Sequence, residues 1–107
     1  MSSTDIIIDA AAILKDYRGE TMRDENGVAW TISTAVSIIL TASRSTEQLG
    51  SHKAYILAKK FYKDDKVNLD KIDYDSLIQF LQSERNWPIG MMGALIEELI
   101  EQKSAQG

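Results

Sequence analysis

The sequence predicts an α+β fold: a short N-terminal antiparallel β-hairpin or meander packed on about four α-helices, in a single domain. Three observations carry that expectation. Two glycine turns stand close together in the stretch 16–40, DYRGETMRDENGVAWTISTAVSIIL. The second turn runs straight into an apolar pattern of helical period. Before the first turn, Ile6, Ile8, Ala10, Ala12 and Leu14 fall at alternate positions, the period that marks a half-buried strand. Residues 5–31 are therefore read as β-rich and 32–103 as mainly helical.

The first segment has two readings. At helical period Ile7, Ala10, Leu14 and Tyr17 share a face, with Thr4 as a cap and alanines that favour a helix. The β-branched run from Ile6 to Ile8, and the turn directly after Tyr17, favour a strand interrupted near Ala10 and Ala11. Arg18 and Gly19 form the first turn, through a hairpin turn, a type II turn or a bulge. Asn26 and Gly27 form the second. Asn-Gly accepts positive φ at both central positions, as a two-residue hairpin turn requires. The turns are rich in charge (Arg18, Glu20, Arg23, Asp24, Glu25), which makes them either a binding loop or a solvated tip.

Thr31 can cap the helix that follows, and Ile32, Ala35, Val36, Ile39 and Leu40 share its inner face. After a polar link, a second helix is predicted over 46–62. Leu49, Ala54, Leu57, Ala58 and Phe61 form its apolar stripe, Tyr55 and Tyr62 lie to one side, and Lys53, Lys59, Lys60 and Lys63 form its wet side. The lysines toward its end suit the helix macrodipole, and they also offer an anion-binding face.

The stretch 63–75, KDDKVNLDKIDYD, superficially resembles a calcium loop. Aligned on that pattern, the third and fifth positions become Val67 and Leu69, the glycine position becomes Asp70, and the terminal glutamate position becomes Ser76. The pattern fails. The stretch reads better as an extended segment packing Val67 and Leu69, then a helix to about Glu84 capped by Asp70 or Asp73. Tyr74, Leu77, Ile78 and Leu81 make its core face, with Phe80 beside it. Pro88 fits the first position of a last helix running to about Gln102. Ile89, Met92, Ile96, Leu99 and Ile100 are expected inside, Glu97, Glu98 and Glu101 in water, and the tail SAQG as a fraying end. Gly90 and Gly93 offer close approach to another helix.

Composition excludes several functions. The chain has 107 residues, 44% of them hydrophobic and 26% charged, which argues for a globular domain and against disorder. A net charge of −4 makes nucleic acid and anionic membranes poor partners. The absence of cysteine excludes disulfides and thiolate metal sites. The N-terminal residues show no basic and apolar signal pattern, and no apolar run reaches membrane-spanning length, so the expected location is the cytoplasm. His52 is the only histidine, and no glycine-flanked nucleophile surrounds any serine. No catalytic residue, metal or cofactor is assigned.

The succession of motifs is similar to small proteins encoded by tailed bacteriophages and prophages. The likeness rests on LKDYRG at 14–19, DENG at 24–27, Thr31, KAYILAK at 53–59, VNL at 67–69 and PIGMMG at 88–93. The resemblance implies a phage or prophage origin, in the cytoplasm of a bacterial host. The function expected is then that of a non-enzymatic protein-binding accessory factor, used in virion assembly or in modulating a host protein. Arg18, Arg23, Trp30, Trp87 and Met91 are its candidate contact residues, since aromatics, Met and Arg are enriched at binding surfaces. Two other readings stand beside it: a nucleic-acid-associated protein using the lysine face of the second helix, and a small hydrolase built on carboxylates.

Overall fold

Two short strands far apart in sequence form the regular sheet. In the computed structural model, which describes residues 5–42, 51–84 and 87–106, the elements in chain order are β1 (Ile6–Asp9), α1 (Ile32–Ala42), α2 (Ser51–Lys63), β2 (Lys66–Leu69), α3 (Lys71–Ser83) and α4 (Ile89–Ala105). The fold is α+β, as the sequence predicts. β1 pairs antiparallel with β2, placing Ile6 opposite Leu69 and Ile8 opposite Val67. These four residues are buried, while their neighbours Ile7, Lys66 and Asn68 point outward. The strand reading of the first segment therefore holds, with the break at Ala10 and Ala11 that the alanines suggested. The partner of β1 is remote in sequence: the extended segment around Asn68 packs its alternate residues as expected and also completes the sheet.

Both glycine turns are present; the first takes the bulge form, one of its readings, and the second takes the same form in place of a two-residue hairpin turn. Gly19 and Gly27 each have φ of +82°, and among the described residues no non-glycine residue, Asn26 included, has positive φ. In each turn an aspartate begins the same bonding pattern. The Asp16 amide donates to the Glu20 carbonyl and the Gly19 amide to the Asp16 carbonyl; Asp24, Val28 and Gly27 repeat this. The Asp16 carboxylate accepts the amides of Arg18 and Glu20, and that of Asp24 accepts those of Asn26 and Val28. This is a three-residue loop, a tight turn closed by a glycine bulge. Only glycine meets its left-handed position without a steric penalty.

The two turns lie eight residues apart because the chain repeats an apolar–basic–Asp–x–x–Gly unit from Leu14 and again from Met22, with Trp30 at the head of an incomplete third. The repeat closes a ring. The Met22 amide donates to the Leu14 carbonyl, the Trp30 amide to the Met22 carbonyl, and the Leu14 amide to the Trp30 carbonyl. Bridges join Lys15 with Thr21, Arg23 with Ala29 and Ile13 with Thr31 around it. The expected meander is thus a triangular ring of single bridges, pinned to the core by fully buried Leu14.

From Thr31, whose hydroxyl accepts the Thr34 amide, α1 buries the five residues that its period marks: Ile32, Ala35, Val36, Ile39 and Leu40. α2 buries Ala54, Leu57, Ala58 and Phe61. The predicted start of this helix, including Leu49, lies outside the described residues. Asp70 caps α3 by accepting the Asp73 amide at 2.7 Å. Tyr74, Leu77 and Leu81 are buried, Ile78 is half-buried, and Phe80 is in the core rather than beside it.

α4 departs most from expectation. Its buried residues are Met91, Met92, Leu95 and Leu99; Ile89 is 89% exposed and Ile100 45% exposed. Helical spacing allowed both phases, and packing against β1 and α3 selected the one centred on Leu95 and Leu99. A methyl group added at Gly90 or Gly93 would meet open space, so neither glycine serves a close helix contact. The helix also runs past Gln102 to Ala105, and Gln106 is tied down instead of frayed. The Gln102 and Gln106 side chains lie along the edge of β1 that faces away from β2. Gln102 accepts the Asp9 amide at 2.7 Å and donates to the Asp9 carbonyl; Gln106 does the same for Ile7. Two primary amides one helical turn apart thereby stand in for a third strand.

Candidate partner-binding surface

The residues singled out in the sequence do not form one site. Arg18 is exposed but occupied: it pairs with Asp16 at 3.2 Å and Glu20 at 3.7 Å, and lies over the Tyr17 ring at 5.5 Å. Asp16 is held below the usual carboxylate range by the amide of Glu20 and, after the opposing effect of burial, by the amide and guanidinium of Arg18. Arg23 donates to the Gly27 carbonyl at 3.0 Å and so ties off the second turn. Trp30 and Trp87 are half-buried against the core. Met91, at 8% exposure, is a core residue, and its candidacy as a contact is corrected on that ground: the phase of α4 turns it inward.

The lysine face of α2 is likewise partly used. Lys53 forms an ion pair with Asp73 of α3, and the hydrogen bond to that carboxylate, more than its charge alone, raises the Lys53 pKa above the usual lysine range. Lys59 sits over the Tyr55 ring at 5.6 Å.

An apolar groove of about 600 Å³ lies between α1 and α2. Ile38 and Thr41 line it from α1, and Tyr55, Ala58, Tyr62 and Lys63 from α2. The sequence places the two tyrosines beside the apolar stripe of α2, and Ile38 flanks the buried face of α1. Packing turns those margins into a shared trough. Both helices bury their central stripes in the same core, so their flanking residues meet over it. Ala58 is small and buried, and forms a low floor. Tyr55 and Tyr62 remain 57% and 75% exposed at the rim. The hydroxyls of Ser37 and Thr41 fold back onto the carbonyls of Ser33 and Ser37, at 2.7 and 2.8 Å, leaving an apolar wall despite their polarity. The signal that would have found this groove in the sequence is the pair Tyr55 and Tyr62, two aromatics seven residues apart beside the apolar stripe, on the side of the helix that also carries Lys59 and Lys63.

A second groove, of about 670 Å³, lies between the N-terminal ring and α4. Asp16, Glu97, Glu98 and Glu101 line it together with Lys15 and the exposed Ile13. Two of its four carboxylates are engaged elsewhere: Asp16 accepts turn amides, and Glu98 accepts from Gln102. Among the described residues, no three acidic or histidine side chains are placed to hold a metal ion. Among the described residues, too, no helix is long and apolar enough to cross a membrane.

The class that this geometry defines is a small α+β domain: a two-stranded sheet and a bridged turn ring laid on four helices, with an open apolar groove between the first two. No family model, curated protein or solved structure matches the chain.

Proposed function

We propose that this protein is a non-enzymatic protein-binding accessory factor of phage or prophage origin, acting in the host cytoplasm in virion assembly or on a host protein. The observation that supports it is the α1–α2 groove. It is lined mainly by carbon, rimmed by two exposed tyrosines, and built on two helices rooted in the core. Tyrosine supplies large contact area with few rotatable bonds, so ordering it on binding costs little entropy. The phage setting is supported by the likeness of the 14–93 motifs to small phage and prophage proteins.

The test is affinity capture from phage-infected or lysogenic bacteria, comparing the native chain with a Tyr55→Ala/Tyr62→Ala variant. Both tyrosines are exposed, so an unchanged urea midpoint is expected to confirm that the variant folds. Near-stoichiometric recovery of one virion or host protein with the native chain, and its loss with the variant, is the expected result. Equal recovery with both chains would refute the groove as the binding site. No stoichiometric protein with either chain would refute the function.

A further inference from the structure

We infer that the α1–α2 groove receives an acidic amphipathic helix of its partner, docked as a third helix along the pair; this rests on the protein-binding reading above. Charge segregation indicates the sign. The chain carries 16 aspartates and glutamates, yet α1 (ISTAVSIILTA) and α2 (SHKAYILAKKFYK) contain none, and α2 holds four lysines. Lys53 is committed to Asp73, but Lys59 and Lys63 line the groove itself. An acidic protein therefore presents, among the described residues that line its most apolar opening, two lysines and no carboxylate. That arrangement attracts carboxylates and repels a basic segment.

Backbone chemistry indicates the conformation. Both walls are helices whose interior amides and carbonyls are already bonded along the helix. An extended segment laid there would find no ladder to join, and its own backbone groups would lose water without replacement. A helix arrives with its backbone satisfied. Tyr55, Ala58 and Tyr62 recur at the i, i+3, i+7 spacing of one helical ridge, and Ile38 and Thr41 form the facing ridge. The trough between two such ridges is the seat that a third helix fills with its own side-chain ridge. α2 has 13 residues. At about 1.5 Å per residue it matches a partner helix of roughly three to four turns. Lys59 and Lys63 lie one helical turn apart, so the complementary helix carries carboxylates four residues apart beside an apolar stripe.

The experiment is selection of a displayed random 16-residue peptide library on the full native chain, with counter-selection on the Tyr62→Glu chain. Enriched peptides are expected to show apolar residues at i, i+3 or i+4 and i+7 flanked by Asp or Glu one turn apart, and to gain helicity on binding. A Lys59→Glu/Lys63→Glu chain should bind them about tenfold more weakly, with the difference shrinking as salt rises. Enrichment of basic or proline-rich extended peptides, or none above the counter-selected chain, overturns the inference. A 20-base-pair DNA duplex retained at low salt by the native chain but not by the double-lysine variant overturns it in favour of nucleic acid. If the groove captures a cellular protein but selects no acidic helices, only this inference falls. Capture that ignores Tyr55 and Tyr62 removes the site on which it rests.

Discussion

Replacing both Gln102 and Gln106 by alanine should weaken the fold and open its sheet. Each side chain bonds the amide and the carbonyl of one β1 residue, giving four bonds to Asp9 and Ile7. A typical intramolecular hydrogen bond contributes about 0.5–1.5 kcal/mol net, and the exposed Gln106 pair falls at the low end because water replaces it. The half-buried Gln102 pair supplies most of the effect, so the double variant should lose about 2 kcal/mol. In urea, with a slope of about 1–3 kcal/mol per molar for small proteins, the midpoint falls by roughly 1 M. A second consequence concerns association. The uncovered edge of β1 would present free amides and carbonyls flanked by exposed Ile7, the arrangement that templates edge-to-edge pairing. Light scattering across a concentration series should therefore show the variant dimerising where the native chain does not change its mass. A midpoint within about 0.3 M of native, with unchanged mass at every concentration, would refute the claim that these amides act as a strand.

Further expectations follow from single features. Gly19→Ala and Gly27→Ala should each cost about 1–2 kcal/mol, because both glycines hold φ of +82° and a β-carbon is penalised there; similar losses in urea would support the equivalence of the two turns, and a loss at one alone would refute it. At alkaline pH, Lys53 is raised by its hydrogen bond to Asp73, and Tyr74 by burial and then by the charge of Asp75. Both folded values lie above the unfolded ones, so the stability they contribute is full below about pH 10 and is lost as pH rises through the folded values. Urea midpoints should fall above that pH, and the fall should be shallower in Tyr74→Phe; identical slopes would exclude the tyrosine's part. Finally, Leu95→Ala should cost about 2–5 kcal/mol, whereas Ile89→Ser should stay within about 0.5 kcal/mol. Comparable losses would contradict the helical phase assigned to α4.

The sequence by itself determined the elements whose signals are local. The Thr31 cap and five apolar residues at helical spacing specify α1. Asp70 and Asp73 bracket the start of α3, where the hydrogen bond then selects Asp70, and the alternation from Ile6 to Leu14 specifies which side chains are buried. Glycine at 19 and 27 required turns, although the shared aspartate pattern that shapes them emerged only from their hydrogen bonds. Tertiary structure decided the rest, because it concerns which surfaces meet. The strand partner of β1 is contributed from beyond α2, the phase of α4 is chosen between two near-equal apolar faces, and Gln102 and Gln106 read as ordinary solvent residues until a strand edge lies beside them. The groove belongs to the same category. Ile38, Tyr55 and Tyr62 are marginal residues on separate helices, and only burial of the two central stripes in one core brings those margins together around an opening.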